Sequence, residues 1–312
     1  MQRKQNGSTT TITNGYSAAT NGIHAAKQQR AAAVGSYGGS RVSGGDGVTY
    51  TIGWTIVTPL LLFLCPIFAM VMIYTIVELE GLPSRLVQEM SSKGLFATIY
   101  KAWVPYMFGS WTAWKFIIPF AAFELILMRV LPGKMTKGPV TPAGNTPIYK
   151  ANGMLAYLVT LAAYFVCAYI LKIFNPADIY DHILEIIGAM NVVSLIFCLG
   201  LVIKGSLSPS STDCGRSGNF LFDYYWGTEL YPRILGWDVK MFTNCRFGLM
   251  SWALLLLSYA EKQHQVHGLS DSMVVAVVIQ LIYITKFFHW EMGYMKTLDI
   301  MHDRAGFYLV SV

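Results

Sequence analysis

Six long apolar runs, separated by short polar stretches, constrain this chain more than any other feature. They cover about Ile52 to Val77, Tyr106 to Leu131, Met154 to Phe174, Ile183 to Ile203, Phe247 to Ala260 and Met273 to Trp290. As helices, runs of this length cross a hydrocarbon core of about 30 Å. The fifth is short, and Phe242 to Arg246 extend it backwards. The runs are continuous rather than alternating, and only helices or closed barrels satisfy the backbone within lipid. The fold expected is therefore all-α, a polytopic membrane bundle of about six transmembrane helices. Pro59 and Pro66 kink the first, which membrane helices tolerate. Composition agrees. Only 13% of the 312 residues are charged and 54% are hydrophobic, whereas a soluble domain carries about a quarter charged residues.

Residues Met1 to about Gly47 lack apolar periodicity and are rich in Ser, Thr, Gly, Asn and Ala, the composition of a disordered tail. It is basic, with Arg3, Lys4, Lys27, Arg30 and Arg41 against Asp46 alone. It has no early apolar core, so it is not a cleavable signal peptide. A cytosolic tail and an organelle transit peptide remain as readings. The second loop holds Arg129, Lys134, Lys137 and Lys150 without an acid, and the fourth holds Lys204, Arg216, Arg233, Lys240 and Arg246. The third carries Asp178 and Asp181 with no Lys or Arg. The positive-inside rule puts the even loops and the tail in the cytosol. The first loop fits least, its Arg85, Lys93 and Lys101 being diluted by Glu78, Glu80 and Glu89. Leu82 to Trp103, between the first two spans, is amphipathic and suits a membrane surface.

Several function classes are disfavoured. The net charge of +6 is spread between apolar spans, so topology explains it and nucleic acid is not expected. Five scattered cysteines without a CxxC argue against a disulfide framework and against a zinc site, so no metal is expected. No GxGxxG follows a strand, and no Walker lysine motif occurs.

Two segments carry chemistry. Gly218 to Arg233 (GNFLFDYYWGTELYPR) packs Asp223, Glu229 and Arg233 among six aromatics. It suits a polar, aromatic wall at the mouth of a membrane cavity, or an interfacial aromatic belt with snorkelling charges. The sixth span ends in Lys286, His289, Trp290, Glu291, Tyr294, Lys296, Asp299, His302, Asp303 and Arg304. If helix continues at about 100° per residue, Glu291, Tyr294, Asp299 and His302 share a sector of about 140°. Lys286 lies within an apolar span, where an ionisable group usually faces a cavity or partner. The alternative is a cytosolic helix end with solvated charges. Lys115 and Glu124 are expected to snorkel or pair with headgroups.

The Gly218 segment resembles the signature of the membrane sterol reductases, which include sterol Δ7- and Δ14-reductases and the reductase-like domain of the lamin B receptor. That pattern has a Gly, an aromatic-Asp pair, a later Gly and then Leu-Asn-Pro-Arg. Gly218, Asp223, Gly227, Leu230, Pro232 and Arg233 match it; Phe222 stands where Tyr or His is usual and Tyr231 where Asn is usual. Gly138 to Gly153, Phe242 to Trp252, Ser270 to Met273 and Thr297 to Tyr308 resemble the Δ7 branch, especially its plant-like members. The resemblance runs from about Trp54 to Tyr308. It implies a sterol reductase domain over residues 48–312 in the endoplasmic reticulum membrane, multi-pass, with the N-terminus cytosolic. The implied reaction reduces the 7,8 double bond of 5,7-diene sterols with NADPH in sterol biosynthesis. The alternative is a non-catalytic sterol-binding or scaffold protein of the same family. The implied partners are a sterol substrate and the lipid bilayer.

A plain alkene does not accept hydride until it has been protonated; a conjugated diene is easier, because its cation is allylic. Such a site needs an acid, a cation-tolerant lining and dry walls. The resemblance supplies this reaction, and the chemistry of the residues supplies the roles. Glu291, Tyr294, Asp299 and Asp303 are expected to be catalytic. Asp223, Tyr225, Trp226, Arg233, Trp290 and His302 are expected to bind substrate, with the Asp223 group facing the Glu291 group. The resemblance also implies a family fold of about ten spans, continuing for over a hundred residues beyond Tyr308 and carrying most NADPH contacts. The expectation is a chain truncated at its C-terminus, with the cofactor-binding residues beyond Val312 and little activity alone.

Overall fold

The computed structural model describes residues 56–141 and 143–310. The expected N-terminal tail, like the first residues of the first span, lies outside the described residues. Helix α1, Thr58–Glu78, places Pro59 in its first turn and Pro66 inside. Proline removes a helical hydrogen bond, and beside the break Asn191 Nδ2 donates to the Pro66 carbonyl at 3.1 Å. Helices α2, Pro83–Lys93, and α3, Leu95–Trp103, form the amphipathic stretch between the first two spans. Ala102 of α3 packs on Met70 and Tyr74 of α1. Glu89 of α2 gathers Lys93 and Lys101 at 2.8 and 3.0 Å, with Tyr74 Oη donating at 3.2 Å.

Helix α4, Trp111–Val130, is capped by Ser110, whose Oγ accepts from the Ala113 N–H at 3.2 Å. A two-stranded antiparallel hairpin follows, β1 Lys134–Lys137 and β2 Ile148–Ala151, paired from Lys134–Ala151 to Lys137–Ile148. Helix α5, Gly153–Phe165, continues through a π-helical turn, Val166–Ile170. Short α6, Ala177–Asp181, leads to α7, Ile183–Leu207. The long loop after it contains α8, Phe220–Trp226, and a second hairpin, β3 Arg233–Ile234 with β4 Trp237–Asp238. A nine-residue π-helix, Met241–Leu249, then runs directly into α9, Met250–His267. The backward extension of the short fifth run is thus helical, and the helix also continues past Ala260.

Helix α10, Asp271–His289, is capped by Ser270, whose Oγ accepts from the Met273 N–H at 3.3 Å. Here one expectation fails. The helix stops at Trp290 (φ −114°, ψ 25°) and resumes only as short pieces: α11, Glu291–Tyr294, α12, Leu298–Met301, and α13, Phe307–Val310. The common sector for Glu291, Tyr294, Asp299 and His302 therefore does not exist.

Among the described residues four helical segments are long and apolar enough to cross a membrane: Thr58–Glu78, Gly153–Ile170, Ile183–Leu207 and Asp271–His289. The other two expected spans are also helices. Helix α4 carries Lys115, Glu124 and Arg129, and α9 ends in a polar turn that includes Glu261 and Lys262. Helices α4, α5, α9 and α10 share a core of Leu127, Ala156, Tyr157, Ala253, Leu256, Ile284 and Phe288. Small residues such as Ala156 and Ala253 permit close helix approach, and Tyr157 stacks on Phe288 at 4.9 Å. A second core, at one end of the bundle, joins Met128, Tyr149, Leu230, Tyr231, Cys245, Met295 and Ile300.

Candidate active site

A cavity of about 1990 Å³ opens among α1, α4, α5, α7, the π-helix and α10. Ligand pockets usually span about 300–1,000 Å³, so it has room for a large apolar molecule. Its walls are mostly apolar, from Leu64 to Val71 on α1 and Phe116 to Phe123 on α4. Polar groups reach it from Thr160, Asn191, Thr243, Asn244, Tyr294 and Asp299, and Phe307 to Val310 close one side. The π-helix is the local device that builds this wall. Its wider turn turns Thr243, Asn244 and Phe247 to the cavity while Arg246 is buried in the opposite direction. Such π segments are often found at functional sites.

Of the four residues expected to be catalytic, Tyr294 and Asp299 line the cavity. Tyr294 Oη accepts from Asn244 Nδ2 at 3.2 Å, and its ring packs on Phe287 at 5.2 Å. Burial pushes its phenol up to about 12. Asp303 is half-buried beside Lys240, and desolvation pushes its carboxyl up. Glu291 faces elsewhere. It is buried against Arg246, which donates to both carboxylate oxygens (Nη2–Oε2 3.1 Å), and Gly153 N–H donates to Oε2 at 3.1 Å. It lines instead a separate void of about 370 Å³ beside Gly153, Met154 and Trp290. The expected meeting of Asp223 with Glu291 is not formed.

The Arg246–Glu291 pair belongs to a wider network that sequence reasoning missed. Arg246 Nη2 donates to Asn152 Oδ1 at 3.0 Å, and Asn152 Nδ2 donates to the carbonyls of Met128 and Leu131, each at 3.2 Å. Four chain segments meet there: the end of α4, the start of α5, the π-helix and α11. This network explains the break at Trp290, because Glu291 is drawn inward instead of following the helix. Lys240, also missed, is buried and donates to the carbonyls of Ile300 at 2.9 Å, Asp299 at 3.4 Å and Asp303. Burial pushes its ammonium down to about 7 against the pull of Asp238, Asp303 and Asp299. It holds the cavity-lining segment that carries Asp299. Arg246 sits inside the Phe242–Trp252 segment singled out by resemblance, which was the signal available for it; Lys240 lies between that segment and Arg233, outside both.

The Gly218–Arg233 segment is not the cavity wall it was expected to be. None of its residues lines the cavity. It backs the wall instead: Tyr225 lies 6.3 Å from Phe307 and 6.0 Å from Tyr308, and Trp226 stacks on Tyr308 at 5.6 Å. Asp223 is buried and accepts from Ser217 N–H at 2.9 Å. Gly227, at φ +95°, is required because a Cβ there would meet the Ala305 carbonyl carbon at 2.6 Å. Arg304 Nη1 donates to Gly215 O at 2.7 Å, and Ala305 N–H donates to Glu229 O at 3.0 Å. Glu229 also accepts from Lys204 at 2.7 Å. Arg233 donates to Ile148 O at 2.7 Å, fastening one hairpin to the other.

Trp290 is 62% exposed beneath Lys286 at 4.0 Å, and His302 is exposed. Neither residue lines the large cavity. Lys115 lies over the Trp111 ring at 5.8 Å and lines the cavity. Glu124 does not snorkel. It is fully buried and accepts from Thr160 Oγ1 at 2.5 Å.

The comparisons with known proteins agree with these joined segments. The family model described as "Ergosterol biosynthesis ERG4/ERG24 family" matches residues 46–311. A 7-dehydrocholesterol reductase of Arabidopsis thaliana is 48% identical over 256 residues, 80% of this chain and 57% of that protein. The 7-dehydrocholesterol reductase of Xenopus laevis is 35% identical over 214 residues, 64% of this chain and 45% of that protein. A Delta(14)-sterol reductase of Arabidopsis thaliana is 34% identical over 185 residues, 58% of this chain and 50% of its own. The chain spans about half the length of the curated relatives it matches. With the match over residues 46–311 and the plant relative at 48% identity, the chain belongs to the ERG4/ERG24 family of sterol reductases.

Proposed function

We propose that this chain forms the sterol-binding and proton-donating part of a sterol Δ7-reductase, acting on 5,7-diene sterols in the endoplasmic reticulum membrane. The observation that carries the proposal is the large apolar cavity with Asp299 and Tyr294 on its wall. A sterol asks for concave apolar walls and few polar contacts. Asp299 is the proposed acid. Its O–H bond breaks as a C–H bond forms at the diene, which consumes the 7,8 π bond and leaves an allylic cation. The faces of Phe287, Tyr294 and Phe307 favour that cation by about 0.5–2 kcal/mol each. Glu291 is a positioning residue in this scheme, acting through Arg246 on the π-helix. Asp303 and Lys240 position Asp299.

The reductant implied is NADPH, which supplies hydride. Its phosphates need convergent cations or backbone nests, and four described cations of the segments behind the cavity are already engaged. Lys204 is taken by Glu229, Arg246 by Glu291, Lys240 by carbonyls and Arg304 by Gly215 O. What these residues supply is the proton side of the reaction.

Sterol analysis in a Δ7-reductase-deficient cell tests the proposal. Restored saturation of the 7,8 bond supports it; sterol binding without turnover in the full chain points instead to a scaffold. Asp299→Asn is expected to lower turnover about 10²–10⁴-fold while sterol affinity stays within a few-fold, and undiminished turnover rules Asp299 out as the acid. The basic residues Arg129, Lys134, Lys137 and Lys150 support a cytosolic position for that end of the bundle and for the tail. A glycosylation acceptor placed after Gly138 stays unmodified on this topology.

A further inference from the structure

The β3–β4 turn combines strain, exposure and position. Ile234 pairs with Trp237, leaving Leu235 and Gly236 as a two-residue loop. Both have positive φ, +51° and +89°. Turns of this kind favour Asn or Asp followed by Gly, because a bulky side chain is strained in the left-handed region. Leu235 takes that strained position and is 82% exposed. Packing among the described residues does not account for it. An apolar side chain displayed at the cost of backbone strain points to something outside the chain.

The turn is fixed at a definite height. Trp237 Nε1–H donates to Leu125 O at 2.9 Å, Arg129 lies over the Trp237 ring at 4.8 Å, and Arg129 Nη1 donates to Leu235 O at 3.3 Å. Leu125 and Arg129 belong to the last turn and a half of α4, which ends at Val130. At 1.5 Å per residue these two anchoring residues lie about 8 and 2 Å from the helix end. For a spanning helix that is the interface, where Trp rings and the cationic ends of snorkelling side chains gather. Beside it lies one face of the β1–β2 hairpin. The register puts Met135, Lys137, Ile148 and Lys150 on that face, since cross-strand partners and alternate residues share a side. Met135, Lys137 and Ile148 are exposed, and Lys150 Nζ donates to Arg129 O at 2.8 Å. No acidic residue occurs from Leu125 to Ala177.

We propose that the Leu235 turn is a membrane-dipping anchor. Leu235 inserts among the acyl chains of the leaflet in which α4 ends, and Arg129, Lys137 and Lys150 meet the phosphates of anionic phospholipids there. The anchor rests on the spanning of α4 and not on the sterol reading, so either can fail without the other.

The test uses the full chain in nanodiscs of phosphatidylcholine with and without phosphatidylserine. With photoreactive benzoylphenylalanine in place of Leu235, lipid adducts at that position are expected. Adducts only to protein, or none, overturn the proposal. Phosphatidylserine should raise the unfolding temperature of the unsubstituted chain by several degrees, and K137Q/K150Q should lose most of that shift. Leu235→Asn suits the left-handed turn, so in detergent it keeps or gains stability. In nanodiscs it should lose at least half of the lipid-dependent shift, and retention of the whole shift overturns the anchor.

Discussion

Removing the Glu291 carboxylate leaves the buried Arg246 without its counter-charge. Arg246 is fully buried and Glu291 nearly so, and Arg246 is their shared link to Asn152 and α4. Breaking a buried pair from one side costs about 3–5 kcal/mol, because the remaining charge is left uncompensated. Glu291→Ala also removes the acceptor of the Gly153 N–H, at about 1–3 kcal/mol for an unsatisfied buried donor. At about 2–4 °C per kcal/mol for a chain of this size, the unfolding temperature in detergent should fall by more than about 6 °C. Arg246→Leu should be comparably harmful, because it strands Glu291. The double variant Arg246→Leu/Glu291→Met should recover part of the loss, since an apolar replacement of both partners is often neutral. A fall below about 2 °C for Glu291→Ala, or a double variant as unstable as the sum of the singles, would refute a buried, mutually compensating pair.

Gly227→Ala should cost at least about 1–3 kcal/mol, from left-handed strain and from overlap with Ala305; wild-type stability would show that residues 304–306 do not approach this closely. The hydrogen bonds and charges of Lys93 and Lys101, with the Tyr74 hydroxyl, hold the Glu89 carboxyl down to about 2 from an ordinary 4.5. A depressed carboxyl stabilises above its unfolded pKa and loses that contribution as pH falls through the folded one. Hydrogen exchange in α2, corrected for intrinsic rates, should stay constant from pH 7 to 5 and rise between pH 4.5 and 2; loosening already between pH 7 and 5 would contradict it. Thr160→Val removes a donor to the buried Glu124 and should cost about 1–3 kcal/mol, read as a lower unfolding temperature with Thr160→Ser close to wild type.

The helices were legible because an apolar run of 20 residues has few alternatives in lipid. The starts of α4 and α10 were set by Ser110 and Ser270, whose caps are local. What the sequence hid is pairing across distance. Arg246 and Lys240 looked like loop cations, yet their partners lie some 45 to 60 residues further on. Nothing in the local pattern separates a solvated arginine from one inside a four-segment junction. For the same reason the polar spacing after His289 suggested a continuous helix, although Glu291 answers to Arg246 rather than to its own turn. The aromatic segment around Asp223 was expected to face the cavity, and it does not. It supports the cavity wall through Phe307 and Tyr308, and the glycines that allow this contact, Gly227 and Gly306, matter only once the fold is known.

That contact also sets an order of assembly. Gly227 and Ala305 are about 80 residues apart, so at about 5–20 residues per second the ribosome needs some 4–16 s to reach the second after the first. During that interval α9 and α10 are made while the rings of Tyr224, Tyr225 and Trp226 await Phe307 and Tyr308. The nascent chain therefore passes through a stage in which one wall of its cavity is unbuilt and the aromatic face of α8 is uncovered, open to whatever chaperone or protease surveys that side of the membrane.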